Sequence, residues 1–341
     1  MANTKWTGKK VFITGATGLL GSHLTRQLVD AGADVTALIR DSVPRSTFHE
    51  WELDRRVNIV RGEVENFALM ERAINEYEID TIFHLAAQTI VGTANRGPLA
   101  TFKANVEGTW NILEAARLHA DRSRGGRIRR IVMASSDKAY GNLQGEAYDE
   151  SFPLRGEHPY DVSKSCADLI ARSFFVSYNL PVAVTRCGNF FGPGDLNFSR
   201  IIPGTVRDVL EGRAPVIRSD GKFIRDYIFA EDGAHAYMTL AEAMEERAGA
   251  GGAGGHTAHG GEAFNFSYGL RLTVRDVVDK VLAVMNRGDV KPVILNQASN
   301  EIPVQCLNSD KAKRVLGWKA KYGFEEGLRM TVEWYKKHYA R

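Results

Sequence analysis

The sequence contains little cysteine, and the three cysteines that it has are far apart. Cys166, Cys187 and Cys306 are odd in number and show no Cys-x-x-Cys spacing. This pattern argues against a disulfide framework or a zinc site and fits a reducing compartment. The N-terminus, MANTKWTGKK, lacks the apolar core of a signal peptide, and no apolar run approaches the length of a membrane helix. These absences predict a soluble cytoplasmic protein without a membrane partner.

The sequence also lacks a large excess of charge of either sign. Its formal net charge of +3 is small for 341 residues, so it gives no indication of binding to nucleic acid or to an acidic membrane. The five tryptophans are scattered and form no stacking platform for nucleic acid. A hydrophobic content of 44% and a charged content of 25% are typical of a globular protein, and the length fits one large domain or two of medium size.

The first half of the chain alternates short apolar runs with longer helical patterns. The predicted strands are 10–14, 34–39, 57–62, 79–87, 127–135 and 181–187, and the predicted helices between them include 66–77, 98–120 and 159–178. Strands that alternate with helices at this pace form parallel sheets. We therefore predict an α/β protein with a doubly wound parallel Rossmann-type sheet.

After residue 187 the alternation becomes less regular, which indicates a smaller C-terminal α/β substrate domain. We assign residues 1–187, with about 227–247, to a cofactor-binding domain and residues 188–226 and 263–341 to the second domain. Residues 248–262 are rich in glycine and alanine and are predicted to be a mobile surface insert. The two histidines of the insert, spaced His-x-x-His, are expected to be solvated rather than to bind a metal.

A glycine-rich segment, TGATGLLG, follows the first predicted strand. Its glycines let the backbone turn sharply and approach a pyrophosphate, and the helix that follows offers free N–H groups and a partial positive charge. A glycine pattern is weak by itself, but this one follows the first strand of an alternating series, which is the context that supports dinucleotide binding. The predicted cofactor contacts in this segment are Gly15, Thr17, Gly18, Leu19, Leu20 and Gly21.

The end of the second predicted strand leaves the choice between NAD and NADP open. An acidic residue usually binds the ribose hydroxyls of NAD at this point, and Asp41 could do so. Arg40, with Arg45, could instead bind the 2′-phosphate of NADP. Glu63, after the third strand, is placed to contact the adenine, and a surface carboxylate is the alternative interpretation.

Tyr160 and Lys164 lie four residues apart on a predicted helix and therefore share one face. A lysine ammonium beside a phenol, together with a positively charged nicotinamide, lowers the pKa of the phenol. The phenolate can then take a proton from a sugar hydroxyl while hydride leaves to the cofactor. The spacing alone is a weak signal, but its position after the fifth strand of a dinucleotide-binding pattern makes it a strong one.

These motifs and several others resemble the extended short-chain dehydrogenase/reductase family over nearly the whole chain. The similar segments also include HLAA (84–87), NVEGTWNILEAA (105–116), SSDKAYG (135–141), RCGNFFGPG (186–194), IRDYIFAED (224–232) and LGW (316–318). The usual substrates of that family are nucleotide sugars, so the resemblance implies a nucleotide-diphosphate sugar as the substrate. It also implies further cofactor contacts at Val64, Leu85, Ala86, Ala87 and Asn105.

Asp137 and Lys138, directly after the fifth predicted strand, distinguish branches of this family. Simple epimerases usually lack a charged acid and base here, whereas 4,6-dehydratases carry them; the CDP-glucose enzymes and some UDP-sugar dehydratases resemble this chain in having Asp-Lys. Once C4 is oxidised, a base must remove the C5 proton and an acid must protonate the leaving C6 hydroxyl. We expect Lys138 to be the base, Asp137 the acid and Ser136 the partner of the C4 oxygen. An ion pair that caps the strand end is the structural alternative.

Other segments are similar to the CDP-glucose 4,6-dehydratase branch, namely KWTGKKVFITG, HLAAQ and RCGNFFGPGDLNFSRIIP. By resemblance, Gln88 belongs to the substrate site, Asn189 contacts the sugar or the diphosphate, and Arg200 contacts the nucleotide end. Arg225, followed by Asp226, is the pattern of the general family and is expected to grip the diphosphate through a bidentate contact. The CDP-glucose branch usually differs there, so GDP- and UDP-sugars remain open as substrates.

Two other functions fit part of the sequence. A 4-epimerase uses the same tyrosine and the same oxidation at C4, but it needs neither Asp137 nor Lys138. A non-catalytic dinucleotide-binding protein would not need the intact set of Ser136, Tyr160 and Lys164. The family resemblance also implies a homodimer, in which the two long helices pair with their copies in a four-helix interface.

Overall fold

The larger lobe is built around a parallel β-sheet. The computed structural model describes residues 4–120, 125–142, 147–244, 257–297 and 302–339. In this part of the chain the strands of the sheet are β1 (Lys10–Thr14), β2 (Asp34–Ile39), β3 (Asn58–Arg61), β4 (Thr81–His84), β5 (Arg130–Ala134), β6 (Val182–Cys187) and β11 (Ala263–Phe266). They lie in the order β11–β6–β5–β4–β1–β2–β3, and all of these pairings are parallel.

The strand order creates a switch point between β1 and β4. β1 pairs with β2 on one side and with β4 on the other, so successive connections leave this point in opposite directions. The inner strands are covered on both faces, which explains why they are continuous apolar runs rather than alternating ones. Ligands of such sheets bind beyond the carboxyl ends of the strands at the switch point.

Helices cover both faces of the sheet and confirm the predicted α/β class. On one face, α1 (Leu19–Asp30) packs against α9 (Ala230–Ala243), and Leu24 and Leu240 belong to the same core. The other face carries α3 (Phe67–Glu76), α6 (Gly108–Leu118) and α7 (Pro159–Tyr178). The shorter helices of this lobe are α2 (Thr47–Glu50), α4 (Val91–Arg96), α5 (Pro98–Phe102) and α11 (Asp310–Leu316).

Local sequence signals explain where several helices begin and end. Asn66 caps α3, because its side-chain oxygen accepts a hydrogen bond from the N–H of Leu69 at 3.0 Å. Pro98 and Pro159 occupy the first turns of α5 and α7, where a missing N–H costs nothing. Asn179 ends α7 in the left-handed conformation, with φ of 52°.

The smaller lobe is built from short strands and three helices packed around aromatic side chains. Its helices are α8 (Ile201–Leu210), α10 (Val274–Val284) and α12 (Gly323–Tyr339). Its strands are β7 (Asn189–Phe191), β8 (Val216–Ile217), β9 (Ile224–Arg225), β10 (Tyr227–Phe229), β12 (Leu272–Thr273), β13 (Val293–Ile294) and β14 (Val304–Gln305). Phe191, Phe229 and Phe324 form its core with residues of all three helices, so the lobe has a hydrophobic core of its own.

The structure differs from the predicted elements in two places. The single helix expected over 98–120 is α5 and α6 joined by a π-helical turn, Lys103–Glu107. This turn directs the buried Asn105 toward the loop after β4, where its side chain bonds to the backbone of Gln88. β11 extends the large sheet rather than belonging to the second domain, because its buried Phe264 and Phe266 pack into the core beneath α9.

Most of the predicted insert, residues 248–256, lies outside the described residues, so its mobility stays a prediction. Residues 257–262 form a turn in which Nδ1 of His259 lies 3.0 Å from Oε1 of Glu262, and Nζ of Lys311 lies 2.8 Å from Oε2 of that same residue. In the part of the chain that the structure describes, no helix has both the length and the hydropathy that crossing a bilayer requires. The same residues contain no cluster of three or more potential metal-ligating side chains.

Candidate active site

A deep cleft lies beyond the carboxyl ends of the strands, at the switch point between β1 and β4. Its volume is about 790 Å³, which is within the range of small-molecule sites. The larger lobe contributes the glycine-rich segment and the ends of β4 and β5, and the smaller lobe contributes residues of β7 and β9. The cleft therefore depends on both lobes.

The glycine-rich segment folds tightly at one end of the cleft. Gly15 has φ of +77°, and a Cβ there would lie 2.8 Å from the backbone nitrogen of Ala86. A Cβ at Gly21 would clash with the carbonyl oxygen of Gly15. The first residues of α1 line the cleft, and Gly18, which precedes the helix, provides no side-chain cap. The first N–H groups of the helix are therefore available to an anion.

The predicted adenosine side of the cleft is assembled largely as expected. Arg40 and Asp41 both line it, and Nε of Arg40 lies 2.7 Å from Oδ2 of Asp41, so the two candidates for binding the ribose form an exposed ion pair with each other. The remaining predicted cofactor contacts that line the cleft are Thr17, Leu19, Leu20, Val64, Leu85, Ala86 and Ala87.

Four residues suggested by the sequence as ligand contacts do not line the cleft: Arg45, Glu63, Gln88 and Asn105. Glu63 is exposed, and its neighbour Glu65 lines the cleft. Asn105 is buried, and its amide donates to the backbone oxygen of Gln88 at 3.0 Å and to Oγ of Ser163 at 2.9 Å. The side-chain oxygen of Gln88 accepts from the N–H of Ile90 at 3.1 Å. Asn105 and Gln88 therefore bond to each other's segments in the wall of the cleft, and their contacts with a ligand stay a prediction.

The turn that carries Ser136, Asp137 and Lys138 follows β5 directly. Residues Asp137–Tyr140 form a 3₁₀ turn that begins at Ser136. The hydroxyl of Ser136 accepts from the N–H of Lys138 at 3.2 Å and donates to Oδ1 of Asp137 at 2.9 Å. At the other end of the turn, the buried hydroxyl of Tyr140 donates to Oδ1 of Asn265 at 2.8 Å. These bonds hold the acid and the base at the cleft.

Asp137 has the surroundings of a neutral carboxylic acid. Its side chain is 4% exposed, and its Oδ2 has no hydrogen-bond partner within the described residues. Burial raises the pKa of Asp137, and the opposing effects of the Lys138 charge and the Ser136 hydroxyl are smaller. A carboxyl group that keeps its proton nearer neutral pH is suited to donate that proton.

Tyr160 and Lys164 both reach the cleft from the beginning of α7, as their spacing predicts. Nζ of Lys164 donates to the backbone oxygen of Ala134 at 2.9 Å, and burial lowers the pKa of Lys164 to about 8. The expected lowering of the phenol pKa is not found in the protein by itself, because burial raises the pKa of Tyr160 to about 12. The expectation therefore depends on its other component, the positive charge of a nicotinamide beside the phenol.

Arginines gather at the end of the cleft that the smaller lobe forms. Arg200 and Arg225 both line it as predicted, and so does Arg218, which the sequence analysis did not identify. Nη1 of Arg200 lies 3.2 Å from the buried Oδ2 of Asp195, and Nη1 of Arg225 donates to the backbone oxygen of Ile302 at 2.7 Å. Held in this way, the guanidinium groups suit a diphosphate.

Several other cleft residues lack a motif of their own. They are Glu65, Thr89, Asn95, His158, Asp161, Asn197 and Ser199, and Asn189 lines the cleft beside them as predicted. The only sequence signal for any of these missed residues is the position of Asp161 between Tyr160 and Lys164. Asn95 reaches the cleft from α4, and the others reach it through loops or a helix start whose path the sequence pattern does not predict.

Known families and proteins match nearly the whole chain. Residues 12–331 match the family model described as GDP-mannose 4,6 dehydratase. The chain is 31% identical to the CDP-glucose 4,6-dehydratase of Salmonella typhimurium, and the alignment covers 97% of this chain and 91% of that protein.

Solved structures match the fold equally well. A dTDP-glucose 4,6-dehydratase from Bacillus anthracis, in complex with NAD, has a TM-score of 0.80 and 26% identity, with 97% of each chain covered. A UDP-glucose 4-epimerase from Thermotoga maritima, with UDP-glucose, has a TM-score of 0.83 and 25% identity, and covers 96% of this chain and 99% of its own. These matches span both lobes, so they bear on the whole cleft.

Proposed function

The chain belongs to the GDP-mannose 4,6-dehydratase family, and we propose that it is an NAD-dependent nucleotide-sugar 4,6-dehydratase. It oxidises the hexose at C4, eliminates water across C5 and C6, and yields a 4-keto-6-deoxy sugar. The observation that carries this proposal is the placement of Asp137 and Lys138 on the same cleft as Ser136 and Tyr160. A 4-epimerase would need only the last two.

The larger lobe is proposed to hold the dinucleotide. The close approach of Gly15 to the loop after β4 and the uncapped start of α1 leave room and free N–H groups for a pyrophosphate. NAD held there would supply the acceptor for the hydride of C4 and its donor to C6, so no external oxidant would be needed. Asp41 is proposed to bind the ribose hydroxyls, and its pairing with Arg40 leaves NADP as the alternative.

Tyr160, Lys164 and Ser136 are proposed to act at the C4 oxygen. Tyr160 takes the proton of the C4 hydroxyl. Burial raises the pKa of Tyr160 and the Ser136 hydroxyl opposes this effect. Lys164 and the positive charge of a bound nicotinamide are proposed to lower that pKa further. The hydroxyl of Ser136 can turn from Asp137 toward the C4 oxygen, since a hydroxyl rotates to suit its acceptor.

Lys138 and Asp137 are proposed to carry out the elimination. The amine of Lys138 takes the C5 proton, and the electron pair of the broken C–H bond forms the C5–C6 double bond. The bond from C6 to its oxygen breaks, and the proton of Asp137 completes the departing water. When hydride is returned to C6, the ammonium of Lys138 would give a proton back to C5. The buried carboxyl of Asp137 suits this role because its pKa is raised by burial.

The substrate is proposed to be a nucleotide-diphosphate sugar held by the smaller lobe. Arg218 and Arg225 are proposed to bind the diphosphate, Arg200 to contact the nucleotide end, and Asn189 to contact the sugar or the diphosphate; all four line the cleft. CDP-glucose is the first candidate because of the similarity to the Salmonella enzyme, and GDP-, UDP- and dTDP-hexoses are the alternatives.

A homodimer in the cytoplasm completes the proposal. Apolar side chains on α5, α6 and α7 are exposed in the single chain, and two helices per subunit could form a four-helix interface. The most exposed of them are Leu99, Trp110, Leu118, Leu169, Val176 and Tyr178. All three cysteines are free thiols, which fits a reducing compartment.

A turnover assay in deuterated water tests the proposed function. The purified protein is incubated with NAD and, separately, with CDP-, dTDP-, GDP- and UDP-hexoses, and products are identified by mass spectrometry and NMR. Loss of water with deuterium at C5 is the expected result, and it names the substrate. A product of unchanged mass with inverted C4 would instead establish an epimerase, as the fold similarity to the Thermotoga enzyme allows.

A further inference from the structure

Asp161 places a second carboxyl group in the cleft that contains Asp137 and Lys138, the residues proposed to carry out the elimination. It follows Tyr160 in the first turn of α7, its side chain is 4% exposed, and it lines the cleft together with Asp137 and Lys138. The proposed mechanism assigns it no role. A buried carboxyl group in a reaction cleft needs a partner or a use, because its burial is costly.

Backbone contacts around Asp161 hold α7 against the turn Asp137–Tyr140, which we call the catalytic turn. The carbonyl oxygen of Ala139 accepts from the N–H of Arg155 at 3.0 Å and from Oγ of Ser165 at 2.9 Å. Oγ of Ser165 also lies 3.1 Å from the backbone oxygen of Asp161. Gly156 packs so closely on the backbone of Asp161 that a Cβ would clash with it. The position of Asp161 relative to Lys138 is therefore fixed by three interlocked segments.

The charges show what Asp161 faces. Burial raises the pKa of Asp161, and Lys138 is the foremost of the groups that oppose this, ahead of His158; Glu157 acts in the same direction as burial. Lys138 is also the foremost charge opposing burial at Asp137. Lys138 and the two buried carboxyl groups, which come from different elements, line the same cleft, and a charge acts most strongly on the groups closest to it.

We propose that Asp161 is a positioning residue for Lys138, which directs its amine toward C5 of the sugar and stabilises the ammonium that forms there. The inference rests on the proposed dehydratase function. At Asp137 burial outweighs the charge of Lys138, so Asp137 can keep the proton that it donates. Asp161, from α7, supplies a second carboxyl group that can pair with the ammonium as Lys138 takes up the C5 proton.

A structural role for Asp161 predicts a different result. Asp161 is the third residue of α7, and the backbone N–H of His158 bonds to its side chain, which is half of a capping box. Asp161→Asn keeps a side-chain oxygen for this bond and removes the negative charge. Asp276→Asn is the matched control, since Asp276 caps α10 from the equivalent position and does not line the cleft.

The experiment follows the two half-reactions separately in single turnovers with NAD and the sugar that the assay identifies. In Asp161→Asn, C4 oxidation is expected to proceed, so reduced nicotinamide accumulates by absorbance. Deuterium uptake at C5 and water loss fall on the order of a hundredfold, the cost of a misplaced reacting group. In a Lys138→Ala background the same change has no further effect, because the residue through which it acts is absent. Asp276→Asn leaves both half-reactions unchanged.

Four outcomes overturn the inference. Equal slowing of both half-reactions in Asp161→Asn would indicate a structural role, and so would an equal further loss in the Lys138→Ala background. Native rates in Asp161→Asn would show that the carboxyl group does nothing for Lys138. Epimerisation by the native enzyme would overturn the proposed function and this inference together. If the native enzyme dehydrates the sugar, the proposed function stands, and a failure of the Asp161 variants then counts against this inference alone.

Discussion

Asp137 and Lys138 are neighbours in the sequence, but the fold gives them different environments. The carboxyl group of Asp137 is buried with one oxygen unbonded among the described residues, whereas Lys138 is partly exposed at the cleft. Burial favours the neutral form of an acid, so Asp137 is prepared to donate a proton. The burial of Asp137 does not fit the alternative interpretation of the two residues as an exposed ion pair at the strand end.

Lys138→Ala is expected to stop the reaction after C4 oxidation. The variant keeps Tyr160 and Lys164 but lacks the base for the C5 proton, and loss of such a group costs on the order of a hundredfold to ten-thousandfold in rate. The measurement is the rate of deuterium uptake at C5, with reduced nicotinamide followed in parallel. Undiminished uptake would assign the base to another residue.

Asp137 is expected to control the alkaline side of the elimination. Its pKa is raised by burial, so the donating form persists toward neutral pH and is lost as the pH rises through that raised value. Asp137→Asn should lower the rate and remove this dependence, because an amide cannot donate the proton. Rates of water loss across a pH series in both proteins provide the test, and an unchanged alkaline limb in the variant would assign the acid elsewhere.

At the scale of elements, α1 packs against the glycine-rich segment and against α9. These contacts support the part of the cleft that is proposed to hold the dinucleotide. Gly21 lies in α1 directly against the carbonyl oxygen of Gly15, so the helix approaches the end of β1 more closely than any larger residue allows. Glu231, in the first turn of α9, bonds to Arg26 and lies 3.7 Å from His23 of α1. These contacts set the position of the helix N-terminus that is proposed to hold the pyrophosphate.

Gly21→Ala is expected to destabilise the protein by about 1–3 kcal/mol, the usual cost of overpacking. The added Cβ would clash with the carbonyl oxygen of Gly15, and neither backbone can move without shifting α1. Gly18→Ala is the control, since a Cβ there would lie 3.3 Å from the same oxygen. Urea unfolding of both variants measures the difference, and equal stabilities would contradict the packing argument.

Glu231→Gln is expected to lower the free energy of unfolding at neutral pH by up to about 3 kcal/mol. Burial alone would raise the pKa of Glu231, but His23 and Arg26 lower it to about 2, from 4.5 in the unfolded chain. The resulting stability is complete above pH 4.5 and is lost as the pH falls toward 2. Urea unfolding at several pH values should show this loss in the native protein and not in the variant.

A surface pair provides the control for this prediction. Glu325 lies 2.6 Å from Lys280, and both side chains are exposed, so Glu325→Gln should change the stability by less than about 1 kcal/mol. If Glu325→Gln lowers the free energy of unfolding as much as Glu231→Gln does, burial of the ion pair between α1 and α9 does not add to the stability of the protein.

At the scale of the whole molecule, the two lobes supply different halves of the proposed chemistry. The larger lobe carries the glycine-rich segment, the catalytic turn and the beginning of α7, and the smaller lobe carries the arginines. The buried side chain of Asn265, on β11 of the larger lobe, bonds to Tyr140 in the turn after β5 and to the backbone of Asn308. The proposed mechanism therefore draws on residues of both lobes.

Val176→Glu is expected to weaken the proposed homodimer. Val176 is 72% exposed on α7, and a charge at the centre of an apolar interface is costly to bury. Light scattering after size-exclusion chromatography should give a dimer for the native protein and a smaller species for the variant. Val293→Glu, at an exposed position on β13 of the smaller lobe, should leave the mass unchanged. A monomeric native protein would refute the proposal.

The sequence by itself determined the features whose signals are local. The alternation of strands and helices, the turn at Gly15 and the shared face of Tyr160 and Lys164 each follow from a few neighbouring residues, and the structure confirms the α/β class. That an acidic residue, Asp137, is followed directly by a basic one, Lys138, is also evident from the sequence. Backbone geometry and helical periodicity act over a few residues, so a sequence pattern is enough to specify them.

Tertiary structure alone decided the features that depend on distant packing. β11 joined the large sheet because two buried phenylalanines complete a core made by other segments, and Asn105 became a support for Gln88 through the π-helical turn. The raised pKa of Tyr160 and the place of Asp161 beside Lys138 come from burial by several elements at once. Burial and Coulomb interactions depend on distances in space, which separation along the chain does not reveal.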